Sequence, residues 1–222
     1  LTIAACLAEA GLEATVLEAE PALPTNLRAS TFHPPTLDML DRFGATQKLL
    51  EQGLIAPTFQ YRTRSEGILG EFDFGELRDV TTRPFRLQCE QYKLNFALLE
   101  YIDEAPSVDV RFDAAVESAT QDEEGVTVRL ANGETVTGGW LVGADGARSV
   151  VREALGIPFE GFTWPEAFLV ISTPFPFEEH FKKLCLVNYF AEAEDWFFLL
   201  RAPDFWRVMV PTKDGENEAD IF

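Results

Sequence analysis

Ala14-Thr15-Val16-Leu17-Glu18 decides how the chain reads. Its first four residues are apolar or β-branched, it ends on a carboxylate, and it follows Leu1-Thr2-Ile3-Ala4-Ala5-Cys6-Leu7-Ala8-Glu9-Ala10-Gly11. That preceding run is rich in small residues and reads as a helix closed by a glycine cap. A helix that delivers the chain into a short apolar strand is half of an α/β unit with a parallel sheet. In a dinucleotide-binding βαβ unit, an acidic residue at the tip of the second strand accepts hydrogen bonds from the adenosine ribose, about 20 residues after a glycine-rich turn. Glu18 suits that position, and the turn would then precede Leu1. A solvated strand end accounts for Glu18 equally well. The chain opens on Leu1 inside a helix pattern, and Glu216–Phe222 is an acidic stretch with no closing pattern. The expectation is a fragment at both ends.

Working outward, a loop with Pro21 and Pro24 leads through Arg28 to His33-Pro34-Pro35, where a proline opens a helix carrying Leu37, Leu40 and Phe43 up to Gly44. Residues 56–74 alternate as strands around Ser65-Glu66-Gly67, a hairpin signal. Phe85-Arg86-Leu87-Gln88 precedes a helix over about Glu90 to Glu104 with Leu94, Leu98, Leu99 and Ile102 on one side. Val108–Phe112, Ala115–Thr120, Val126–Leu130 and Thr135–Thr137, separated by Asp122-Glu123-Glu124-Gly125 and Asn132-Gly133, read as strands that end in a β-meander. Trp140-Leu141-Val142 reads as a further apolar strand, followed by a helix at roughly Arg148 to Leu155. From Trp164 onward, Ala167–Thr173, Leu184–Phe190, Trp196–Leu200 and Trp206–Val210 are aromatic strand candidates with an antiparallel character.

Composition limits the function classes. The 222 residues are 46% apolar and 12% aromatic, with 19 Phe, which places them with globular chains. The formal charge is -19. Such a field repels nucleic-acid backbones and anionic lipid, so neither nucleic acid nor a membrane surface is an expected partner. No apolar run approaches the roughly 20 residues that span a bilayer. No signal peptide is read. Cys6, Cys89 and Cys185 contain no Cys-x-x-Cys, so neither a disulfide framework nor a metal site is indicated, and a reducing cytoplasm fits best.

Gly143-Ala144-Asp145-Gly146-Ala147-Arg148-Ser149 lies between a strand and a helix. Glycines let a backbone approach a ligand, a helix start offers amide donors, and Arg148, with Arg152 one turn on, supplies positive charge. Plain Asp-Gly turn chemistry is the competing and commoner reading. Together with Val151-Arg152, Leu155-Gly156-Ile157 and Phe159-Glu160-Gly161-Phe162-Thr163, the segment from Leu141 resembles the Asp-Gly motif of class A flavoprotein monooxygenases, the para-hydroxybenzoate hydroxylase-like FAD enzymes. Thr15–Pro21 resembles that family's second strand, Arg28–Leu40 its arginine-led flavin loop and helix, and Gln91-Tyr92-Lys93-Leu94 its Gln-x-x-Leu helix start. The family's Gly-x-Gly-x-x-Gly turn and its later Gly-Asp motif are absent from these residues.

The resemblance implies an α/β fold: an incomplete Rossmann-like FAD-binding domain with a β-meander (1–55 and 86–160) plus part of a mixed or antiparallel-sheet substrate domain (56–85 and 161–222). It implies an oxidoreductase in which FAD, reduced by NADPH or NADH, activates O2 and passes one oxygen atom to a small, phenol-like aromatic substrate. By the match of motifs, Glu18 holds the adenosine ribose, Arg28 the pyrophosphate or flavin edge, and Gln91 the ribityl region. Asp145, Gly146 and Arg148 order the turn near the pyrophosphate and the nicotinamide approach. Phe168, Phe190, Phe198 and Trp206 are candidate walls of the substrate pocket, with core packing the stronger expectation for them. His33 and His180 are read as structural or solvated, and Cys89 as a small buried hydrophobe. The alternatives are a truncated non-catalytic flavoprotein-like fragment, or another FAD-dependent oxidoreductase, a dehydrogenase or halogenase, on the same scaffold.

Overall fold

The computed structural model describes residues 1–163, 167–193 and 195–212; Trp164 and the acidic stretch Glu216–Phe222 lie outside them. Close contacts divide the chain into two compact units, Leu1–Pro24 with Ile102–Thr163, and Thr25–Tyr101 with Trp164–Phe222. This differs from the boundaries expected from the sequence: residues 25–55 and 86–101 group with the large sheet. In chain order the elements up to the third helix are α1 (Thr2–Glu9), β1 (Ala14–Leu17), β2 (Thr31–Phe32), α2 (Pro34–Leu40) and α3 (Ala45–Leu50). Next come β3 (Leu54–Ala56), β4 (Thr58–Thr63), β5 (Gly67–Asp73), β6 (Arg86–Gln88), α4 (Gln91–Asp103) and β7 (Val108–Arg111). The remainder are β8 (Val116–Gln121), β9 (Val126–Leu130), β10 (Thr135–Gly138), α5 (Val150–Ala154), β11 (Ala167–Thr173), α6 (Phe177–His180), β12 (Val187–Phe190), β13 (Phe197–Arg201) and β14 (Trp206–Thr212).

In the first unit, α1 buries Ala4 and Ala5 and ends just before Gly11, whose φ of +66° suits only glycine without strain. β1 then pairs in parallel with β7, from Ala14 opposite Val108 to Leu17 opposite Arg111. β8, β9 and β10 form an antiparallel meander. Its first turn is held by the Asp122 carboxylate, which accepts from the amides of Glu124 and Gly125. Ala114, Val128 and Leu130 form the core, with Leu17, Val116 and Leu141 packed against it. Trp140–Val142 is not a strand, contrary to its apolar pattern. A strand exists only where a neighbour completes its backbone hydrogen bonds, and among the described residues the parallel sheet holds β1 and β7 alone. Trp140 is correspondingly 94% exposed.

In the second unit, the six-stranded sheet has the order β11-β14-β13-β12-β4-β5, antiparallel except where β12 meets β4. A three-stranded sheet, β2-β6-β3, carries the segments on either side of α2 and α3. The expected helix ends at Gly44, and a further helix, α3, follows at once. Gly44 has φ +66°, which closes a 3-10 turn over Asp41–Phe43 and starts α3, and the Thr46 hydroxyl donates to Leu37 O at 2.6 Å. A run of only six residues after a glycine is too short to carry a periodicity from which α3 could be read. β12 begins three residues later than expected because Lys183 has φ +54° and the Asn188 amide donates to Cys185 O at 2.7 Å, fixing a turn there.

Side-chain alternation sorts the large sheet into two faces. Val170, Met209, Phe198, Tyr189 and Tyr61 are successive cross-strand partners on one face, joined by the row Arg207, Leu200, Val187. The other face carries Phe190, Leu199 and Trp206, a buried cluster onto which Phe177, Phe181 and Val208 pack. Leu199 is wholly buried in that cluster. Leu199→Ala should therefore lower unfolding free energy by about 2–5 kcal/mol, through lost burial plus a cavity. Leu69→Ala, on exposed β5, should stay within about 0.5 kcal/mol of the parent. Urea unfolding followed by circular dichroism measures both, and equal losses would place Leu199 outside the core.

Candidate functional site

Within the first unit, Glu18 follows the carboxyl end of β1 and is half-buried. Its amide donates to Arg111 O and its Oε1 accepts from the Glu20 amide at 3.0 Å, so the carboxylate is held at the strand tip. Leu17, beside it, packs on the same core cluster as Leu141, which leads into the Asp-Gly turn. In that turn Asp145 Oδ2 accepts from the Val151 amide at 3.2 Å and the Ser149 side chain caps the Arg152 amide at 3.0 Å. Burial pushes the Asp145 carboxyl up, but hydrogen bonds from the Ser149 hydroxyl and the α5 amides outweigh it and hold the group below its ordinary 3.8. A Cβ on Gly143 would crowd Val151 Cβ at 3.1 Å, and Gly146 has φ +82°, a conformation that favours glycine. Arg152 donates to Ala147 O at 2.8 Å and covers the Phe159 ring at 4.8 Å. Asp145 and Arg152 thus build the turn, and Arg148, exposed and in no ion pair among the described residues, is the cation the turn presents.

Within the second unit, two segments far apart in sequence run side by side. Thr31 and Phe32 pair with Gln88 and Leu87, the Cys89 amide donates to Ser30 O, and the Gln91 amide donates to Ala29 O. This register sets the segment that carries Arg28 next to the start of α4 and its Gln91, a juxtaposition that the sequence reading did not include. Both side chains are exposed, and Arg28 is in no ion pair among the described residues of a chain whose net charge is -19.

Beneath them lies a polar layer that the sequence did not announce. Gln88 is 0% exposed, and its Oε1 accepts from the Thr31 hydroxyl at 2.9 Å while its Nε2 has no partner among the described residues. Glu90 is 3% exposed, with Oε2 2.7 Å from Lys93 Nζ in an ion pair outside hydrogen-bond geometry. Arg207, on β14, is 7% exposed and donates to Ser30 Oγ at 3.3 Å and Leu27 O at 3.1 Å, with Nε unpartnered. Burial lowers the Arg207 pKa and Glu90 partly offsets this. One signal could have revealed Arg207: a charge at a core-facing position of an apolar strand is costly unless paired. Gln88 offered none, since it reads as an ordinary polar neighbour of Leu87 at the end of β6.

The aromatic face of the large sheet adjoins this layer. Arg86 stacks over Phe59 at 4.7 Å and donates to the Tyr189 hydroxyl at 2.7 Å. Tyr61, Tyr189, Phe190, Glu192, Trp196 and Phe198 are among the residues that line a cavity of about 280 Å³. The four candidate wall residues divide: Phe198 and Phe168 lie on this face, linked through Trp196. Phe190 and Trp206, 1% and 4% exposed, belong to the core of the other face, because their strand parity is opposite. Core packing replaces the expectation of a pocket wall for Trp206, whereas Phe190, packed in the same core, also borders the cavity. His33 precedes α2, and burial together with Arg86 holds it below 6.5. Burial pushes the Cys89 thiol up to about 11, so it is no nucleophile at neutral pH. Among the described residues no helix is long and apolar enough to cross a membrane.

A family model described as the FAD binding domain matches residues 1–219, and the chain belongs to that family. It is 30% identical over 220 residues to para-nitrophenol 4-monooxygenase of Pseudomonas sp. (strain WBC-3), covering 97% of this chain and 54% of that protein. It is 35% identical over 177 residues to 6-hydroxy-3-succinoylpyridine 3-monooxygenase HspB of Pseudomonas putida (strain DSM 28022 / S16), covering 78% of this chain and 45% of that one. The crystal structure of p-nitrophenol 4-monooxygenase PnpA from Pseudomonas putida DLL-E4 superposes with a TM-score of 0.91 at 28% identity, over 99% of this chain and 56% of that one. The chain spans about half the length of the curated relatives it matches. Each unit by itself carries a feature that fits a flavin nucleotide: in the second, an exposed Arg28 beside the entrance of α4, and in the first, a glycine turn that presents Arg148.

The Asp145 geometry has a pH consequence. A carboxyl whose folded pKa lies below its unfolded value stabilises the fold above that unfolded value, and the contribution is lost as pH falls through the folded one. By carbon-detected NMR Asp145 should titrate below 3.8. Asp145→Asn should flatten the acid limb of the stability curve; an ordinary titration and an unchanged limb would remove the carboxylate from the turn.

Proposed function

We propose that this chain is the FAD-binding part of a monooxygenase that hydroxylates a small aromatic substrate with NADPH or NADH and O2. The observation that supports this most is the register that sets Arg28 beside Gln91 over partly unsatisfied buried donors. The relatives' names, two of them 4-monooxygenases of nitrophenol, supply the reaction class. Bound FAD would supply hydride acceptance from the nicotinamide and activation of O2.

The chain's own residues bind, orient and exclude water. In the first unit Glu18, fixed at the strand tip, takes the ribose hydroxyls as acceptor, while Gly146 lets the backbone come close and Arg148 offsets phosphate charge near the nicotinamide approach. Asp145 acts indirectly, by holding the turn. In the second unit Arg28 takes the pyrophosphate or the flavin edge and Gln91 the ribityl hydroxyls. The substrate lies against the aromatic face, where Tyr61, Tyr189 and Phe198, with Phe168 and Trp196 beyond them, offer flat apolar surface to a ring and keep water away from it. Such a site works by placement of the ring.

Arg28→Ala should weaken FAD retention about tenfold to a hundredfold, the value of one charge-assisted contact. Arg129→Ala is the control, since Arg129 lies on the meander and pairs with Glu117 at 2.7 Å. Flavin absorbance per protein after gel filtration reads both. Equal flavin content in the two variants would remove Arg28 from the site.

A further inference from the structure

Arg207 is the one charged residue in β14, and its guanidinium points from the aromatic face of the sheet into the 27–30 segment. A buried charge without good partners is costly, so such a residue is held by what it fastens. Its two terminal nitrogens diverge onto a carbonyl, Leu27 O, and a hydroxyl, Ser30 Oγ, one on each side of Arg28. The opposite edge of the same segment is tied by the amides of Cys89 and Gln91, which donate to Ser30 O and Ala29 O. Glu90, between those two residues and 3% exposed, favours the Arg207 charge. The segment that carries Arg28 is therefore clamped from both sides, by backbone pairing on one and a single forked side chain on the other.

We infer that Arg207 is a positioning residue: through Leu27 and Ser30 it fixes the backbone on both sides of Arg28, and so sets where the Arg28 guanidinium meets the cofactor. This rests on the reading of Arg28 as a flavin-nucleotide contact. Lysine carries the same charge from one nitrogen and cannot span both acceptors. Geometry, not charge, is what Arg207 provides.

The test uses Arg207→Ala, Arg207→Lys and Ser30→Ala, each alone and combined with Arg28→Ala. FAD is titrated by quenching of its fluorescence, and amide hydrogen exchange is followed at Cys89 and Gln91. Expected are a loss of FAD affinity of about tenfold or more in both Arg207 variants and a smaller loss in Ser30→Ala. Exchange at the two amides should be faster in all three, and none should weaken binding further once Arg28 is already alanine. Should Arg207→Ala not fold, Ser30→Ala, which removes only one acceptor, carries the same comparison. Full affinity and unchanged exchange in Arg207→Lys would overturn the inference, as would losses that simply add to that of Arg28→Ala. If the parent protein does not quench FAD, the reading of Arg28 fails, and the exchange rates alone still decide whether Arg207 clamps the segment.

Discussion

The backbone pairing of residues 29–32 with residues 87–91 is the constraint on which the proposed site depends. It joins parts of the chain that have no sequence relation: a proline-bounded loop, and the exit of a short strand into α4. Without that register Arg28 and Gln91 would be two unrelated polar residues. With it, their segments become neighbours beside the buried Gln88, Glu90 and Arg207, which are held by Thr31, Lys93, Ser30 and Leu27.

Strand alternation in the large sheet supplies the second half of the arrangement. On one face Phe190, Leu199 and Trp206 pack into a core that anchors the strands. On the other, Tyr61, Tyr189 and Phe198 stand in a cross-strand row next to Arg207. A shift of one residue in β14 would exchange the faces and put Trp206 where Arg207 now reaches the 27–30 segment. The core face carries its own polar tie: Arg62, stacked over Phe190, bonds Gln60 and the carbonyls of Lys182 and Lys183, which fastens the turn before β12. Stability and the candidate substrate face are thus written into alternate residues of the same strands.

Much of this was readable in the sequence. The helix before Gly11, the strand ending at Leu17, the meander and the hairpin around Gly67 all combine a periodic pattern with a glycine or aspartate turn, and both signals are local. Glu18, Arg28, Gln91 and the Asp145 turn are candidates that rest on the family resemblance. What escaped depends on partners. The run Trp140–Val142 has the apolarity of a strand without a neighbour to pair with among the described residues, and α3 owes its place to Gly44 and to the Thr46 bond rather than to periodicity. Phe190 and Trp206 look like Phe198 in composition; only strand parity assigns them to the core. Gln88, Glu90 and Arg207 converge from two separate strands and a helix entrance, a juxtaposition that no window of sequence contains.

The most direct measurement is a crystal structure of the protein with FAD bound. The account predicts flavin-nucleotide density in contact with the side chains of Arg28 and Gln91, over the buried layer of Gln88 and Arg207. FAD bound with Arg28 and Gln91 both left in solvent would contradict it.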